Sequence, residues 1–231
     1  MLLKTNKLMK AFGGLKAINK VDFELPANEI RVIIGPNGSG KSTFFNLVSG
    51  VYEPDPGSYI EFDGKDITNE PPHKVGELGL ARTFQLLRLY QDMSVINNVM
   101  SGYHTLVPYS FIDAVTGRKK IWDQEKVIKE EMMELLSFVG LADYAELNAS
   151  ELSGGQRRLL VLARAIAGKP KLLMLDEPAA GLSPVNVDNL MKILMRLKEK
   201  YGLTLIKIEH ILKVVMDNWS KDTVLDHGEN I

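Results

Sequence analysis

The sequence predicts an α/β protein that combines a parallel sheet, an N-terminal antiparallel β part and an inserted helical part. Three observations support this fold class. Apolar and polar residues alternate in short segments near the N-terminus, helical spacing dominates residues 97–150, and short apolar runs then alternate with helical patterns. We therefore expect one domain over 1–231, in which 1–96 and 151–231 form the α/β core with its antiparallel part and 97–150 form the helical subdomain.

The N-terminal part shows the two-residue period of half-buried strands. In VDFEL, residues 21–25, the apolar positions alternate with two acidic ones. The segment YIEFDGKDI repeats the pattern on both sides of Asp63-Gly64, which is a preferred hairpin turn. A loop with Pro54, Pro56 and Gly57 precedes it.

The central part is helical, and the C-terminal part returns to alternating strands and helices. One helix is predicted before Gly140, with an apolar face formed by Ile128, Met132, Leu135, Leu136 and Val139. A second helix is predicted over 184–201, with Val187, Leu190, Ile193, Leu194 and Leu197 facing inward. Strands are predicted at 171–175, 204–208 and 222–226, of which the first is apolar throughout, as in a parallel sheet.

Composition excludes several classes of function. The net charge is -1, so no bulk electrostatic attraction to nucleic acid is expected, and no nucleic-acid partner is predicted. The chain contains no cysteine, which excludes disulfide and thiolate chemistry. No stretch approaches the roughly 18 apolar residues of a membrane span. We therefore expect a cytosolic chain, which would need a partner to hold it at a membrane.

The segment IGPNGSGKST, residues 34–43, predicts a phosphate-binding loop. Gly35, Gly40, Lys41 and Ser42 fit the pattern G-x-x-x-x-G-K-[ST], between a predicted strand and a predicted helix. Glycines let backbone N–H groups surround phosphates, and the helix N-terminus attracts anions. The lysine would contact the β- and γ-phosphates, and the Ser42 hydroxyl would ligate Mg²⁺. The alternative is a glycine-rich turn with a chance lysine, but the context favours a P-loop NTPase core.

The run LLMLDEP places two carboxylates at the end of a buried strand. In a parallel sheet, the carboxyl ends of the strands border the ligand crevice. Asp176 is therefore predicted to serve the Mg²⁺ shell, and Glu177 to orient and polarise a water against the γ-phosphate. The alternative is that both are solvated acids in a turn.

A second helix N-terminus with glycines follows at LSGGQ, residues 152–156. Ser153 is a favourable N-cap, and Gly154 and Gly155 allow another backbone to approach. Because one nucleotide does not need two phosphate-binding helix ends, we expect this one to contact ATP held by a partner chain.

Together, GPNGSGKST, Gln85, LSGGQ, LLMLDEP and His210 resemble, in this order and over essentially the whole chain, the ATP-binding cassette family. The resemblance implies two cassettes that enclose two ATP molecules, each between the phosphate loop of one and the LSGGQ segment of the other. Residues 180–183 match the segment that crosses this dimer interface. The cofactors implied are ATP and Mg²⁺.

The resemblance also implies a role for individual residues. Phe12 should stack on adenine, with Ala17 nearby; by itself, Phe12 would more often be a core or edge aromatic. Gln85 should touch Mg²⁺ and the attacking water, and His210 the γ-phosphate, although alone they would be a polar loop residue and a structural histidine. The nucleotide-binding residues implied are Phe12, Ala17, Asn37, Gly38, Ser39, Gly40, Lys41, Ser42 and Thr43. Those implied to contact the partner's ATP are Ser153, Gly154, Gly155 and Gln156; the catalytic ones are Glu177, His210, Gln85 and Lys41; the metal ligands are Ser42, Gln85 and Asp176.

Among cassettes, a transporter subunit fits best. The interval between Ser42 and Ser153 leaves no room for the coiled coil of repair-type cassettes, and ribosome-type cassettes usually come in pairs in one chain. The segments GLARTFQLLRLYQDMSVINNVMSGYH and SFVGLADYAELNASELSGGQ resemble the larger ATPase subunit of branched-chain amino acid importers. Cassettes for urea, lipids or lipopolysaccharide share most of these motifs, and a soluble non-transport ATPase is a further alternative.

An importer of this kind implies several partners. They are a second cassette, transmembrane permease subunits and, indirectly, an extracytoplasmic substrate-binding protein, with this chain peripheral at the cytoplasmic face of the membrane. Apolar residues near Gln85 are either ordinary subdomain core or a groove for a cytoplasmic helix of the permease. These residues are Leu86, Leu87, Leu89, Tyr90 and Met93.

Overall fold

The computed structural model describes residues 1–83, 88–103, 119–209 and 221–230, without the side chains of 119–124, 221–222 and 230. The chain divides into two compact units. The first consists of Met1–Gln85, Lys171–Gly181 and Leu194–Ile231, and the second of Leu86–Pro170 and Leu182–Ile193. The second unit therefore includes the predicted insertion 97–150 and also the helix that follows LSGGQ.

An antiparallel sheet forms the N-terminal part of the first unit, as predicted. Its strands are β1 (Leu3–Phe12), β2 (Leu15–Leu25), β4 (Tyr59–Phe62) and β5 (Lys65–Asp66), in the order β2-β1-β4-β5. The hairpin between β4 and β5 turns at Asp63 and Gly64, with φ of 50° and 74°. Positive φ at both central turn residues is the geometry for which Asp-Gly is favoured, so the predicted hairpin is confirmed.

The second sheet of this unit is mostly parallel. It contains β3 (Ile30–Ile34), β6 (Leu80–Thr83), β7 (Leu172–Asp176), β8 (Thr204–Ile208) and β9 (Lys221–Asp226), all parallel, and β10 (Glu229–Asn230), which pairs antiparallel with β9. The order is β10-β9-β3-β8-β7-β6. The carboxyl ends of β3, β7 and β8 therefore lie at one edge of the sheet, where α/β proteins bind ligands.

Two helices of the first unit belong to its apolar core. Helix α1 (Lys41–Val48) buries Phe44 and Phe45 in a cluster with side chains of both sheets, among them Phe23, Ile33 and Ile206. Phe23 and Phe44 meet edge to face at 5.2 Å. Helix α2 (Pro72–Glu77) contributes Val75. Burial of α1 in this cluster holds its first residue, Lys41, at the end of β3.

The second unit is helical in its described part. It contains α3 (Val95–Tyr103), α4 (Lys119–Phe138) and α5 (Gly154–Ala167), with short 3₁₀ turns at Ala142–Tyr144 and Ala149–Glu151. The predicted face of α4 is buried at Met132, Leu135, Leu136 and Val139, whereas Ile128 is half-buried. Gly140 follows with a φ of 76°, which confirms the predicted end of the helix.

Helix α6 (Pro184–Tyr201) has the bounds that its sequence pattern predicts. Val187, Leu190, Leu194 and Leu197 are buried, whereas Ile193 is only half-buried. In the residues that the structure describes, no helix is long and apolar enough to cross a membrane.

Candidate functional site

Two glycines determine the path of the loop between β3 and α1. A Cβ on Gly35 would collide with the carbonyl oxygen of Leu225, in β9. A Cβ on Gly40 would collide with the carbonyl oxygen of Ala17, and Gly40 also has a φ of 99°, in the left-handed region. The loop therefore packs its backbone directly against two strands, and only glycine allows this approach.

Lys41 points its ammonium group back into this loop. The residue is only 4% exposed, and Nζ donates to the carbonyl oxygens of Gly35 and Pro36 at 2.8 Å each and to Ser39 Oγ at 3.3 Å. Burial lowers the pKa of Lys41, while the charges of Glu177 and Asp176 raise it. These opposing effects on the pKa indicate that both carboxylates lie near the ammonium group, as the strand-end argument predicts.

The N-terminus of α1 carries the polar groups that a phosphate would need. Gly40 is its N-cap and supplies no side-chain hydrogen bond to the first turn. The first N–H groups of a helix have no partner within the helix, so they can bind an anion. Ser42 is exposed, Thr43 is half-buried, and Asn37 and Gly38 are exposed in the preceding loop.

Asp176, at the end of β7, makes a buried ion pair that the sequence does not reveal. Arg82 in β6 donates from Nη2 to Asp176 Oδ2 at 3.1 Å, and the two side chains are 6% and 12% exposed. Burial lowers the pKa of Arg82, while the hydrogen bond with Asp176 and the negative charge of that residue raise it. A charge pair this deep needs further hydrogen bonds to be tolerated.

Glu177 follows directly in a constrained backbone conformation. Its φ is 49°, which is unusual for a residue other than glycine, and its carbonyl oxygen accepts a hydrogen bond from Ala180 N at 3.1 Å. Such outliers concentrate at functional sites. The turn thus holds the glutamate at the sheet edge, close to Lys41.

A second glutamate, Glu209, lies buried beside this turn and was not predicted. It is 2% exposed, and its carboxylate accepts a hydrogen bond from the backbone of Ala179. Among the residues that the structure describes, its Oε1 has no hydrogen-bond partner. The pKa of Glu209 is raised to about 7, mainly by burial. The charge of Lys207 lowers this pKa, and the charge of Glu177 raises it. The only sequence signal for this residue is an acidic side chain at the end of the apolar strand β8.

The oxygen donors at this edge fit Mg²⁺ better than a metal held by protein alone. Mg²⁺ prefers oxygen ligands and usually takes one or two from the protein, with phosphates and waters completing its shell. Ser42 supplies a hydroxyl and Asp176 a carboxylate. Among the described residues, no group of three or more His, Cys, Asp or Glu side chains could hold a metal ion. An ion bound here would therefore take its remaining ligands from phosphate and water.

The LSGGQ segment forms the N-terminus of α5 in the helical unit. Ser153 is its N-cap, as predicted: Ser153 Oγ accepts from Gln156 N at 3.4 Å, and Gln156 Oε1 accepts from Ser153 N at 2.9 Å. This reciprocal pair is a capping box. A Cβ on Gly154 or Gly155 would meet nothing within 4 Å, so both glycines face open space. No internal packing in the described residues explains these two glycines.

Phe12 lies at the end of β1 and is 45% exposed. Its ring meets Tyr52 edge to face at 5.5 Å, and Lys10 Nζ lies 5.7 Å from the ring centroid. Phe12 is therefore a surface aromatic rather than a core residue. Ala17, in β2, contacts the phosphate loop through its carbonyl oxygen.

Gln85 and His210 lie outside the described residues, as do Leu86 and Leu87, so their predicted roles remain predictions. Of the other apolar residues near Gln85, Tyr90 is 56% and Met93 38% exposed, and Leu89 is half-buried. The fully buried Asn98 holds this segment, because it accepts from Tyr90 N at 3.0 Å and donates to Tyr90 O at 2.9 Å and Met93 O at 3.1 Å. Exposure of Tyr90 and Met93 disfavours the core alternative for these two residues.

Comparison with known proteins gives a consistent family. Residues 18–180 match the family model described as ABC transporter. The probable branched-chain amino acid transport ATP-binding protein LivG of Archaeoglobus fulgidus is 40% identical over 234 residues, which cover 100% of this chain and 88% of that protein. The high-affinity branched-chain amino acid transport ATP-binding protein LivG of Escherichia coli K12 is 35% identical, with 98% and 89% covered.

Solved structures show the same fold. The crystal structure of a nucleotide-free ATP-binding cassette from an ABC transporter matches with a TM-score of 0.84 and 33% identity, covering 100% of this chain and 89% of that one. An ATP-binding cassette of an ABC transporter in its ADP conformation matches with a TM-score of 0.85, 33% identity and the same coverage.

Proposed function

We propose that this chain, which belongs to the ABC transporter family and is an ATP-hydrolysing cassette of that family, powers an importer of branched-chain amino acids. The observation that carries the ATPase part of this proposal is the proximity of Lys41, in the glycine loop, to Asp176 and Glu177. The proposed cargo is supported by relatives named for branched-chain amino acid transport, which this chain matches over 88% and 89% of their length. Urea, lipid and lipopolysaccharide carriers remain alternatives to be separated by experiment.

The nucleotide phosphates are proposed to replace the bonds that Lys41 now makes. Its ammonium group donates to the carbonyl oxygens of Gly35 and Pro36, and charged phosphate oxygens are stronger acceptors than carbonyls. The N–H groups of residues 37–43, with the Thr43 hydroxyl, complete the phosphate site. Phe12 is proposed to stack on adenine, because its exposed ring offers a face to a planar base. Ala17 lies beside the same loop.

For hydrolysis, each polar group has a distinct proposed task. Mg²⁺, when bound, would neutralise charge on the β- and γ-phosphates. Ser42, Asp176 and Gln85 are proposed to hold the ion, Asp176 through water. Glu177 would accept a hydrogen bond from the attacking water and draw its proton away, and His210 would contact the γ-phosphate.

A second cassette is proposed to complete each site. The N-terminus of α5 spans Ser153, Gly154, Gly155 and Gln156; its two glycines face open space, and their backbone N–H groups lie at the helix end. Such a surface suits the γ-phosphate of ATP bound to another chain. ATP would then favour the closed pair of cassettes, and hydrolysis would let them part, since a ligand shifts an equilibrium by its differential affinity for two states.

The remaining partners are proposed to be transmembrane permease subunits and, indirectly, an extracytoplasmic substrate-binding protein. Tyr90 and Met93 offer exposed apolar surface on a segment that Asn98 holds in place. A cytoplasmic helix of the permease could bury this surface, which would hold the chain peripherally at the cytoplasmic face of the membrane. No role with nucleic acid is proposed.

The test is recovery of the tagged chain from detergent-solubilised source membranes, followed by uptake of radiolabelled leucine in cells that lack the chain. The proposal expects two polytopic subunits and a second cassette in the complex. It also expects uptake to return with wild-type chain and not with Glu177→Gln. Normal leucine uptake without the chain, or loss of urea or lipid transport instead, would contradict the proposed cargo. Recovery with ribosomal or DNA-associated proteins would contradict the transport role.

A further inference from the structure

The guanidinium group of Arg82 connects three elements of the first unit. Besides Asp176 in β7, Nη1 donates to Asn46 Oδ1 at 2.7 Å and to Ser49 Oγ at 3.0 Å. Its Cζ lies 5.5 Å from the ring centroid of Phe45. Asn46 and Phe45 belong to α1, and Ser49 is the C-cap of that helix. Arg82 itself is in β6, opposite Met174 of β7.

The contacts are specific to the shape of an arginine. The planar guanidinium reaches two acceptors through Nη1 and a carboxylate through Nη2, while its charge lies within cation–π distance of the Phe45 ring. Ser49 Oγ also donates to Phe45 O at 2.7 Å, so its proton is used and its lone pairs remain for Arg82. A lysine would keep the charge, but it would lose the fork that contacts α1 and β7 together.

The two carboxylate oxygens of Asp176 have different hydrogen-bonding environments. Oδ2 accepts the bond from Arg82, whereas no hydrogen bond to Oδ1 occurs in the described part of the chain. Because Arg82 is itself anchored on α1, its charge-assisted hydrogen bond to Oδ2 restrains the carboxylate plane of Asp176. The opposite end of α1 begins with Lys41 and Ser42. One side chain thus ties the strand end that carries Asp176 to the helix that carries the phosphate-binding residues.

We infer that Arg82 is a positioning residue for the metal shell: it holds Asp176 Oδ2 so that Oδ1 faces the ion's water, and it fixes Asp176 relative to α1. The inference rests on the proposed role of Asp176 in the Mg²⁺ site. It assigns Arg82 no contact with nucleotide. Residues that orient metal ligands in this way affect metal affinity by about 10–100-fold when they are changed.

The measured quantity is the coupling between nucleotide and Mg²⁺. The Kd of a non-hydrolysable ATP analogue for the full chain is measured with excess Mg²⁺ and again with EDTA. The ratio of the Kd in EDTA to the Kd with Mg²⁺ reports how much the metal site adds to binding. Arg82→Lys should reduce this ratio by about tenfold or more. Its Kd in EDTA should stay at the wild-type value, because the phosphate loop itself is unchanged.

A matched control is available in the same unit. Arg31 pairs with Glu29 at 2.5 Å and donates to Thr223 Oγ1 at 3.3 Å. Its Cζ lies 5.5 Å from the Phe23 ring centroid, and its side chain is 12% exposed. It has no role in the proposed site. Arg31→Lys should therefore remove the same kinds of guanidinium contact as Arg82→Lys, but it should leave the ratio of the Kd in EDTA to the Kd with Mg²⁺ unchanged.

If circular dichroism shows that Arg82→Lys does not fold, the double variant Asn46→Ala with Ser49→Ala tests the positioning role instead. This variant keeps the Arg82–Asp176 pair and removes the two hydrogen-bond acceptors that hold Arg82 on α1. The ratio should therefore also be lower than in wild type. A folded Arg82→Lys or double variant with the wild-type ratio would overturn the positioning role while leaving the proposed function intact. A wild-type chain whose ratio is one would overturn both, since Mg²⁺ would then add nothing to nucleotide binding.

Discussion

Glu209→Gln should change how the stability of this protein depends on pH. Glu209 is 2% exposed at the end of β8, and burial is the largest cause of its raised pKa, about 7 in place of the ordinary 4.5. The folded protein therefore holds a proton in this interval that the unfolded chain gives up. Stability from this group is fully present below pH 4.5 and is lost as the pH rises through 7.

The size of this pH effect on stability follows from the difference between the pKa of Glu209 in the folded protein and its ordinary value. The difference between a pKa of 4.5 and one of about 7, at about 1.4 kcal/mol per pKa unit, corresponds to about 3–4 kcal/mol between the two ends of the interval. Between pH 5 and pH 8, roughly 2–3 kcal/mol of this stability should be lost, because part of it is already lost at pH 5. Glutamine preserves the shape and can still accept the Ala179 N–H, but it does not titrate. Its unpaired amide adds a cost that is the same at both pH values.

The assay is urea unfolding of wild type and Glu209→Gln at pH 5 and pH 8. The free energy of unfolding of wild type, minus that of the variant, should be smaller at pH 8 than at pH 5 by roughly 2–3 kcal/mol. Glu70→Gln, at an exposed position, provides the control and should parallel wild type. Equal pH dependence for Glu209→Gln and wild type would refute the argument that burial holds a proton on Glu209.

Four further substitutions test the loop and the LSGGQ helix. Lys41→Ala should weaken ATP binding by about 10–100-fold, because a charge-assisted contact is lost; unchanged affinity by calorimetry would contradict the phosphate role. Gly35→Ala should lower the free energy of unfolding by about 1–3 kcal/mol, because its methyl group meets the Leu225 carbonyl oxygen. Gly154→Ala, in open space, should leave urea unfolding unchanged, and equal losses in both variants would speak against this account. Ser153→Ala should cost about 1 kcal/mol of stability through loss of the capping box and should slow turnover in the assembled complex. ATP binding by the isolated chain should remain, and a weaker Kd there would place Ser153 in the chain's own nucleotide site.

Local patterns were sufficient to predict much of the fold and part of the site. The loop motif around Lys41 is contiguous, so its context of strand and helix can be read from ten neighbouring residues. Asp176 and Glu177 could be placed beside it because strand ends in a parallel sheet share an edge. The hairpin at Asp63-Gly64 and the end of α4 at Gly140 follow from backbone preferences of single residues.

Contacts between distant segments could not be predicted in the same way. The bond from Arg82 to Asp176 joins residues 94 positions apart, and no local pattern indicates that strands β6 and β7 pair. Glu209 looks like a surface acid in the sequence, and only the fold shows it to be buried. Period alone also overestimated two positions, Ile128 and Ile193, which are half-buried. Ile193 lies at the margin of its helix's apolar face, whereas Ile128 lies one turn before the first buried residue of its face, Met132.

The most direct test of the central claim is ATP hydrolysis by the reconstituted complex in proteoliposomes. Hydrolysis would be measured with the substrate-binding protein in its leucine-free and leucine-loaded forms, using wild-type chain and Glu177→Gln. The account predicts turnover that leucine-loaded binding protein stimulates, and its near-complete loss in Glu177→Gln with ATP binding retained. Wild-type-like hydrolysis in that variant would contradict the role of Glu177, and hydrolysis indifferent to the leucine-loaded protein would contradict coupling to this cargo.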